Sequence, residues 1–180
     1  MLESDSRRVI CIHPGSKGIS ERRWPEEYWA RIIDAVVQKY RCRVVMIGNE
    51  NERELSKRIQ KECGGQATNL AGKCTIGQTA AIIQGSDILL CGASGPLHMA
   101  VALAVSAVYI GGGVDLRRWG AYGNSPMHRA VLRDSNCRPE NCHSCPDRWE
   151  RCVRSITPDA VLAAVSQAME GLTSRKQGSP

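Results

Sequence analysis

Residues 87–104, DILLCGASGPLHMAVALA, decide the fold. Ile88-Leu89-Leu90-Cys91 is a short aliphatic run without polar alternation, as expected of a parallel strand covered on both faces. It stops at Gly92-Ala93-Ser94-Gly95-Pro96, where Pro cannot extend a central strand and suits a first helical turn. Leu97 to Ala104 then reads as a helix apolar nearly all round, and so a buried one. A strand passing through small residues straight into a helix is the opening of a βαβ unit.

The same alternation recurs on both sides. Downstream, Ala107-Val108-Tyr109-Ile110 is another strand, running into Gly111-Gly112-Gly113. Upstream, Val9-Ile10-Cys11-Ile12 ends in His13-Pro14-Gly15, and Tyr28, Ile32, Val36 with Trp29, Ile33, Val37, Tyr40 follow at helical spacing after Pro25. Arg43 to Ile47 is a strand closed by Gly48-Asn49, and a helix with Leu55 and Ile59 on one face runs to Gly64-Gly65. Thr68 to Gly72 reads as a short strand, and Ile76, Ala80 and Ile83 mark another helix. Beyond residue 113 the rhythm breaks into a Gly-, Asn- and Pro-rich loop, then Arg129-Ala130-Val131-Leu132. A cysteine-rich segment follows, and last a helix capped by Thr157-Pro158-Asp159 with Val161, Leu162, Val165 and Met169 on its apolar face. Strands alternating with helices predict right-handed crossovers: an α/β, Rossmann-like parallel sheet with helices on both faces. One domain is expected over residues 8–172, including the cysteine-rich segment 137–152, with 1–7 and 173–180 as disordered tails.

Composition narrows the function classes. Aromatics are 4% and Phe is absent, so the core is aliphatic. No run approaches the roughly 20 apolar residues of a membrane span, and Met1 to Arg8 lacks the apolar run of a signal peptide. The expectation is a cytoplasmic chain, with contact at the inner membrane at most peripheral. The net charge of +6 suits anionic partners. Its cations are dispersed and not interleaved with aromatics, which argues for phosphate and against nucleic acid.

In doubly wound sheets, ligands sit beyond the carboxyl ends of the strands. Three turns collect there. His13-Pro14-Gly15-Ser16-Lys17-Gly18, continuing to Arg22 and Arg23, offers amides, hydroxyls and cations to a phosphate, or is a solvated loop; it lacks Walker spacing. Gly92 to His98 starts a helix at once, so its free amides and dipole favour an anion near Ser94 and Gly95. His98, about one turn in, is either a phosphate donor or a core histidine. Glu50, after the second strand, is either a ribose acceptor or a solvated carboxylate. Gly111-Gly112-Gly113 is the third turn.

Ile12-His13-Pro14-Gly15 through Arg23-Trp24-Pro25, Asn69-Leu70-Ala71-Gly72, Ser94-Gly95-Pro96-Leu97-His98-Met99-Ala100 and Cys142-His143-Ser144-Cys145 together resemble glycosyltransferase family nine, the ADP-heptose:lipopolysaccharide heptosyltransferases and relatives. The likeness covers roughly residues 8–170 and is to the C-terminal, donor-binding half of a GT-B enzyme. It implies a nucleotide-sugar site: Ser16, Lys17 and Arg22 at the diphosphate, Glu50 at the ribose, Lys73 and Cys74 where backbone meets adenine, and Ser94, Gly95 and His98 at the phosphates. It implies an inverting transferase of lipopolysaccharide or protein glycosylation whose acceptor site and general base lie in a separate N-terminal domain. This half alone is then expected to bind donor and to be inactive, with no catalytic residue of its own. The alternative is a non-catalytic module binding nucleotide sugars or a protein. One departure stands out: the family usually places Asp before the Ser/Thr-Gly pair, where this chain has Ala93.

Cys137, Cys142, Cys145 and Cys152 form a Cys-x4-Cys-x2-Cys-x6-Cys run whose centre has metal-ligand spacing. The resemblance gives two precedents, a cysteine-bound iron in some autotransporter heptosyltransferases and metal-free cysteines in many relatives. The segment is read as structural, with no metal ligand assigned and no cofactor required.

Overall fold

A computed structural model describes residues 7–15, 23–112, 115–123, 125–133 and 149–177. Six strands form one sheet: β1 (Val9–His13), β2 (Arg43–Met46), β3 (Ala67–Asn69), β4 (Ile88–Gly92), β5 (Ser106–Ile110) and β6 (His128–Val131). Every neighbouring pair is parallel, in the order β3-β2-β1-β4-β5-β6. That is the doubly wound order, and its reversal of direction falls between β1 and β4. The two strands register Ile10 to Ile88 and His13 to Cys91. Asp87 fastens their start, its carboxylate accepting from the Val9 amide at 2.8 Å while its own amide donates to the Val9 carbonyl.

Helices α1 (Glu26–Tyr40), α2 (Arg53–Glu62) and α7 (Pro158–Gln177) share one core with Ile10, Ile12, Val44, Met46, Ile88, Leu90 and Val108. From α1 alone, Trp29, Ala30, Ile32, Ile33 and Val36 are buried. Each large side chain so sealed is worth about 1.5–3 kcal/mol. Trp24 closes this face. Its indole N–H donates to the Ile156 carbonyl at 2.7 Å, and its ring meets that of Trp29 edge-on at 4.9 Å. Thus Trp24-Pro25 tethers the start of α1 to the turn before α7.

The opposite face is thinner. Helices α3 (Ile76–Gln84) and α4 (Gly95–Ala102) cover Cys11, Ile47, Leu89, Cys91, Ala107 and Tyr109. Here the expectation of a buried α4 fails: only Leu97 and Ala100 are buried, and His98 and Ala102 are exposed. The helix lies on the outside of the sheet with α3 beside it, so one stripe faces the core and nothing among the described residues covers the rest. The short helices α5 (Leu116–Trp119) and α6 (Trp149–Arg154) fill the connection to α7. The last helix runs to Gln177, past residue 172 where a disordered tail was expected, because no Pro or Gly breaks it between Leu172 and Gln177. Among the described residues no helix is long and apolar enough to cross a membrane.

The third glycine turn follows the carboxyl end of β5, on the edge expected of it. A β-carbon on Gly111 would lie 2.7 Å from Leu132 Cδ2, and one on Gly112 would lie 3.1 Å from both Val153 and Ile156. Both residues are buried. These two glycines let the chain leaving β5 pass close under its neighbours. Gly113 lies outside the described residues.

Candidate functional site

A cleft of about 200 Å³ opens at the carboxyl ends of β1 and β2, beside the start of α4. Its position is the switch point of the sheet, where a ligand can enter between diverging connections. His13, Asn49 and Glu52 give it a polar floor; Ile47, Cys74, Ile76, Pro96 and Met99 make the rest largely apolar.

His13 is the last residue of β1 and only 5% exposed. Its Nδ1 lies 3.1 Å from Ser94 Oγ and its Nε2 lies 3.2 Å from Glu52 Oε2. Glu52 ends a 3₁₀ turn, Glu50–Glu52, that leads into α2. Its Oε2 also accepts from the Asn49 amide at 2.8 Å, a reciprocal helix-start contact. The carboxylate is wedged between Gly15 and Gly48, and a β-carbon on either would collide with it. Burial alone would raise the carboxyl's pKa. The hydrogen bond and charge of His13, the Asn49 amide and the charge of Arg23 outweigh that and hold it below the usual carboxylate range. Glu52 is therefore ionised at neutral pH.

Ser94 precedes α4 in an extended conformation, φ −145° and ψ 175°. It does not cap the helix with its side chain; Oγ turns back to the Gly92 carbonyl at 3.2 Å and to His13. The first-turn amides of α4 are left to another acceptor, although Pro96 supplies none. This is the geometry of a small anion site. On the apolar side, Ile76 is 82% exposed, which is unusual for so large an aliphatic group. It is rigidly presented, because Thr75 caps α3 by accepting from the Gln78 amide while Gln78 returns a bond to the Thr75 amide.

The expected site residues separate into groups. Cys74 lines the cleft, and Ser94 touches it through His13. Gly95 and His98 are exposed at the start of α4, so the core reading of His98 is overturned. Glu50 is exposed, pairs with Arg53 at 3.0 Å, and rests against Gly72, whose φ of +73° and missing side chain make room for it. Lys73 donates to the Asn69 carbonyl at 3.0 Å and lines a neighbouring groove with Arg53 and Lys57. Ser16, Lys17 and Arg22 lie outside the described residues.

Sequence reasoning missed His13, Asn49, Glu52, Ile76 and Met99. One signal pointed to Glu52. Asn49-x-x-Glu52 has capping-box spacing, whereas Glu50 does not. Of the cysteine run, Cys152 is buried against Gly112, and Cys137, Cys142 and Cys145 lie outside the described residues. Among the described residues no three His, Cys, Asp or Glu side chains gather as a metal site.

The chain is similar to known proteins along most of its length. Lipooligosaccharide heptosyltransferase 2 of Campylobacter jejuni is 23% identical over 170 residues, covering 93% of this chain and 53% of the relative. The structure of Escherichia coli ADP-heptose lipopolysaccharide heptosyltransferase II superposes with a TM-score of 0.77 at 20% identity, over 96% of this chain and 49% of that one. The iron-containing dodecameric glycosyltransferase TibC from enterotoxigenic E. coli superposes at 0.65 with 16% identity, over 93% and 46%. The chain thus spans about half the length of the curated relatives it matches. The model of glycosyltransferase family 9 (heptosyltransferase) matches residues 2–148, most of the chain with the whole cleft inside it, and the chain belongs to that family.

Proposed function

We propose that this chain is the nucleotide-sugar-binding half of an inverting glycosyltransferase that uses an ADP-heptose-like donor in lipopolysaccharide or protein glycosylation. The observation that carries this reading is the polar–apolar division of the switch-point cleft. At one end stand Ser94 and the opening turn of α4, suited to a diphosphate. At the other, Ile76 and Met99 offer flat aliphatic surface to a base, with Cys74 on the same wall and Lys73 next to it in the chain. Glu50 at the Gly72 rim lies on the side where a ribose would sit. Ser16, Lys17 and Arg22 are proposed to join the diphosphate from the first loop.

In this reading the half-enzyme binds the donor and stabilises the departing nucleotide diphosphate. No group in the cleft is suited to deprotonate an acceptor. Glu52 is ionised, but both its neighbours donate to it and it is buried. The base and the acceptor are therefore assigned to a partner domain, without which transfer is expected to be absent.

The relatives are named for heptosyl transfer, and TibC for the iron it contains. The donor-binding role proposed for this chain requires no metal.

Calorimetric titration with ADP-, UDP-, GDP- and CDP-sugars tests the proposal. ADP-sugars should bind tightest, and Ser94→Ala with His98→Ala should weaken them, each lost charged hydrogen bond costing roughly 1.5–3 kcal/mol. Equal affinity in the double variant would overturn the assignment of the α4 turn.

A further inference from the structure

We propose that the groove between α2 and β3 is a second anion site, which takes a short oligophosphate, a free chain of phosphate groups. The groove holds about 400 Å³ and shares no lining residue with the switch-point cleft. Arg53, Lys57 and Gln60 stand at i, i+4 and i+7 of α2, so one face of the helix turns all of them to the groove. Thr68, Asn69 and Lys73 line it from the side of β3. Three of these six residues are cations, and among the described residues no carboxylate lines the groove.

The backbone of β3 decides what the groove can bind. β3 is an edge strand, so every second residue turns its backbone away from β2. The Leu70 amide donates to the Met46 carbonyl, which fixes the parity: Thr68 and Leu70 face β2, while Ala67 and Asn69 face outward. Both outward carbonyls are already occupied. Gln60 Nε2 donates to that of Ala67 at 2.7 Å, and Lys73 Nζ to that of Asn69 at 3.0 Å. The outward Asn69 amide has no acceptor among the described residues. Asn69 Oδ1 is also taken, accepting from the Ala71 amide at 3.0 Å, which leaves its side-chain nitrogen as a donor. An edge with filled acceptors and open donors is a poor template for a further strand, which needs both. It suits a ligand that only accepts.

The cations are within reach of such a ligand. Arg53 pairs with Glu50 through Nη1 alone, and its Nε is buried without a partner. Lys57 pairs with Glu54 at 2.6 Å. In both pairs the carboxylate is the more exposed member, at 65% and 70%, and surface pairs of this kind are weak. Lys73 is tethered to the Asn69 carbonyl, so recruiting it costs little side-chain freedom. A phosphate chain spanning the groove meets all three at once, with charge-assisted bonds stronger than the exposed pairs it displaces.

A soluble phosphate chain fits better than a lipid headgroup. Binding at a membrane surface draws on apolar side chains beside the cations. The large hydrophobic residues exposed among the described ones are Ile76, Trp119 and Tyr122, and none of them lines the groove.

Titration with tripolyphosphate, followed by amide NMR of the whole chain, tests the proposal. The Asn69 and Thr68 amide signals should shift and saturate. Lys57→Gln and Thr68→Glu should each weaken that response about tenfold, the loss of a charged hydrogen bond or the gain of a repelling charge. Both positions are exposed and neither lines the cleft, so any response of the Gly95 amide at the α4 turn should be the same in wild type and variants. Shifts confined to the α4 turn, or an Asn69 response equal in all three proteins, would overturn the proposal. Binding to phosphatidylglycerol vesicles with no response to tripolyphosphate would overturn it too, and would make this face a membrane contact. The wild-type map alone decides if a variant fails to fold. None of these outcomes depends on whether a nucleotide sugar enters the cleft.

Discussion

The two faces of the sheet are built for different purposes. The face under α1, α2 and α7 is aliphatic and closed, with Trp29 1% exposed and Ile32, Ile33 and Val36 fully covered. The face under α3 and α4 contains two thiols, a tyrosine and, at the end of β1, a histidine bonded to a serine and a glutamate. Its helices are short and leave Ile76 and His98 in solvent. The sealed core is concentrated on the first face, and the candidate cleft opens on the second. A cleft needs polar groups and open backbone donors, which a fully sealed layer cannot supply.

The largest effect should come from the sealed face. Trp29→Ala removes a side chain that packs on Trp24 and the α1 core, and should cost about 3–5 kcal/mol. Urea denaturation measures this. At low denaturant the folded fraction should still bind nucleotide sugar. If the Trp29 variant were as stable as wild type, the division between faces would be wrong.

Gly15→Ala probes the other face. Its new β-carbon would run into the Glu52 carboxylate, which His13 and the Asn49 amide hold in place. Glu52 must move, and the His13–Ser94 contact moves with it. Donor affinity should fall by tenfold or more, about 1.4 kcal/mol, while denaturation shifts less than for Trp29→Ala. Unchanged affinity would show that the cleft tolerates displacement of its polar floor.

Glu52→Gln sharpens the comparison through pH. Because the carboxyl's folded pKa is lowered, the stability it contributes is present above its unfolded pKa and is lost as pH falls through the folded value. Wild type should therefore lose roughly 1 kcal/mol relative to Glu52→Gln on acidification below about pH 4. Parallel acid profiles for the two proteins would count against the contacts that hold Glu52 ionised.

How far the sequence revealed this division depends on what each face is made of. Uninterrupted aliphatic runs at 9–12, 88–91 and 107–110 declared the parallel sheet, since buried strands need apolar groups on both sides. The cleft was legible only as a location. The turn at Ser94 was visible because a strand, glycines and a helix start are local features. The His13–Ser94–Glu52 line was not, because its members are separated by 39 and 81 positions and meet only once the sheet has formed. Glu52 escaped notice beside Glu50 for a related reason: two carboxylates two residues apart differ by which one the 3₁₀ turn carries inward. The burial expected of α4 failed because an all-apolar helix pattern gives no indication of how many partners will cover it.

The smallest effect should come from Ile76→Ser, and it separates the two faces most cleanly. At 82% exposure the side chain contributes little to the core, and Thr75 and Gln78 hold the helix start independently of it. Stability should stay within about 0.5 kcal/mol of wild type. If Ile76 is kept in solvent to meet a flat base, its loss should weaken ADP-sugar binding a few-fold, consistent with the roughly 25 cal/mol per Å² of apolar surface that a base would cover. A ribose diphosphate lacking the base should bind both proteins alike. Equal loss for the two ligands would show that Ile76 acts through the shape of the cleft, and unchanged binding of both would remove α3 from the site.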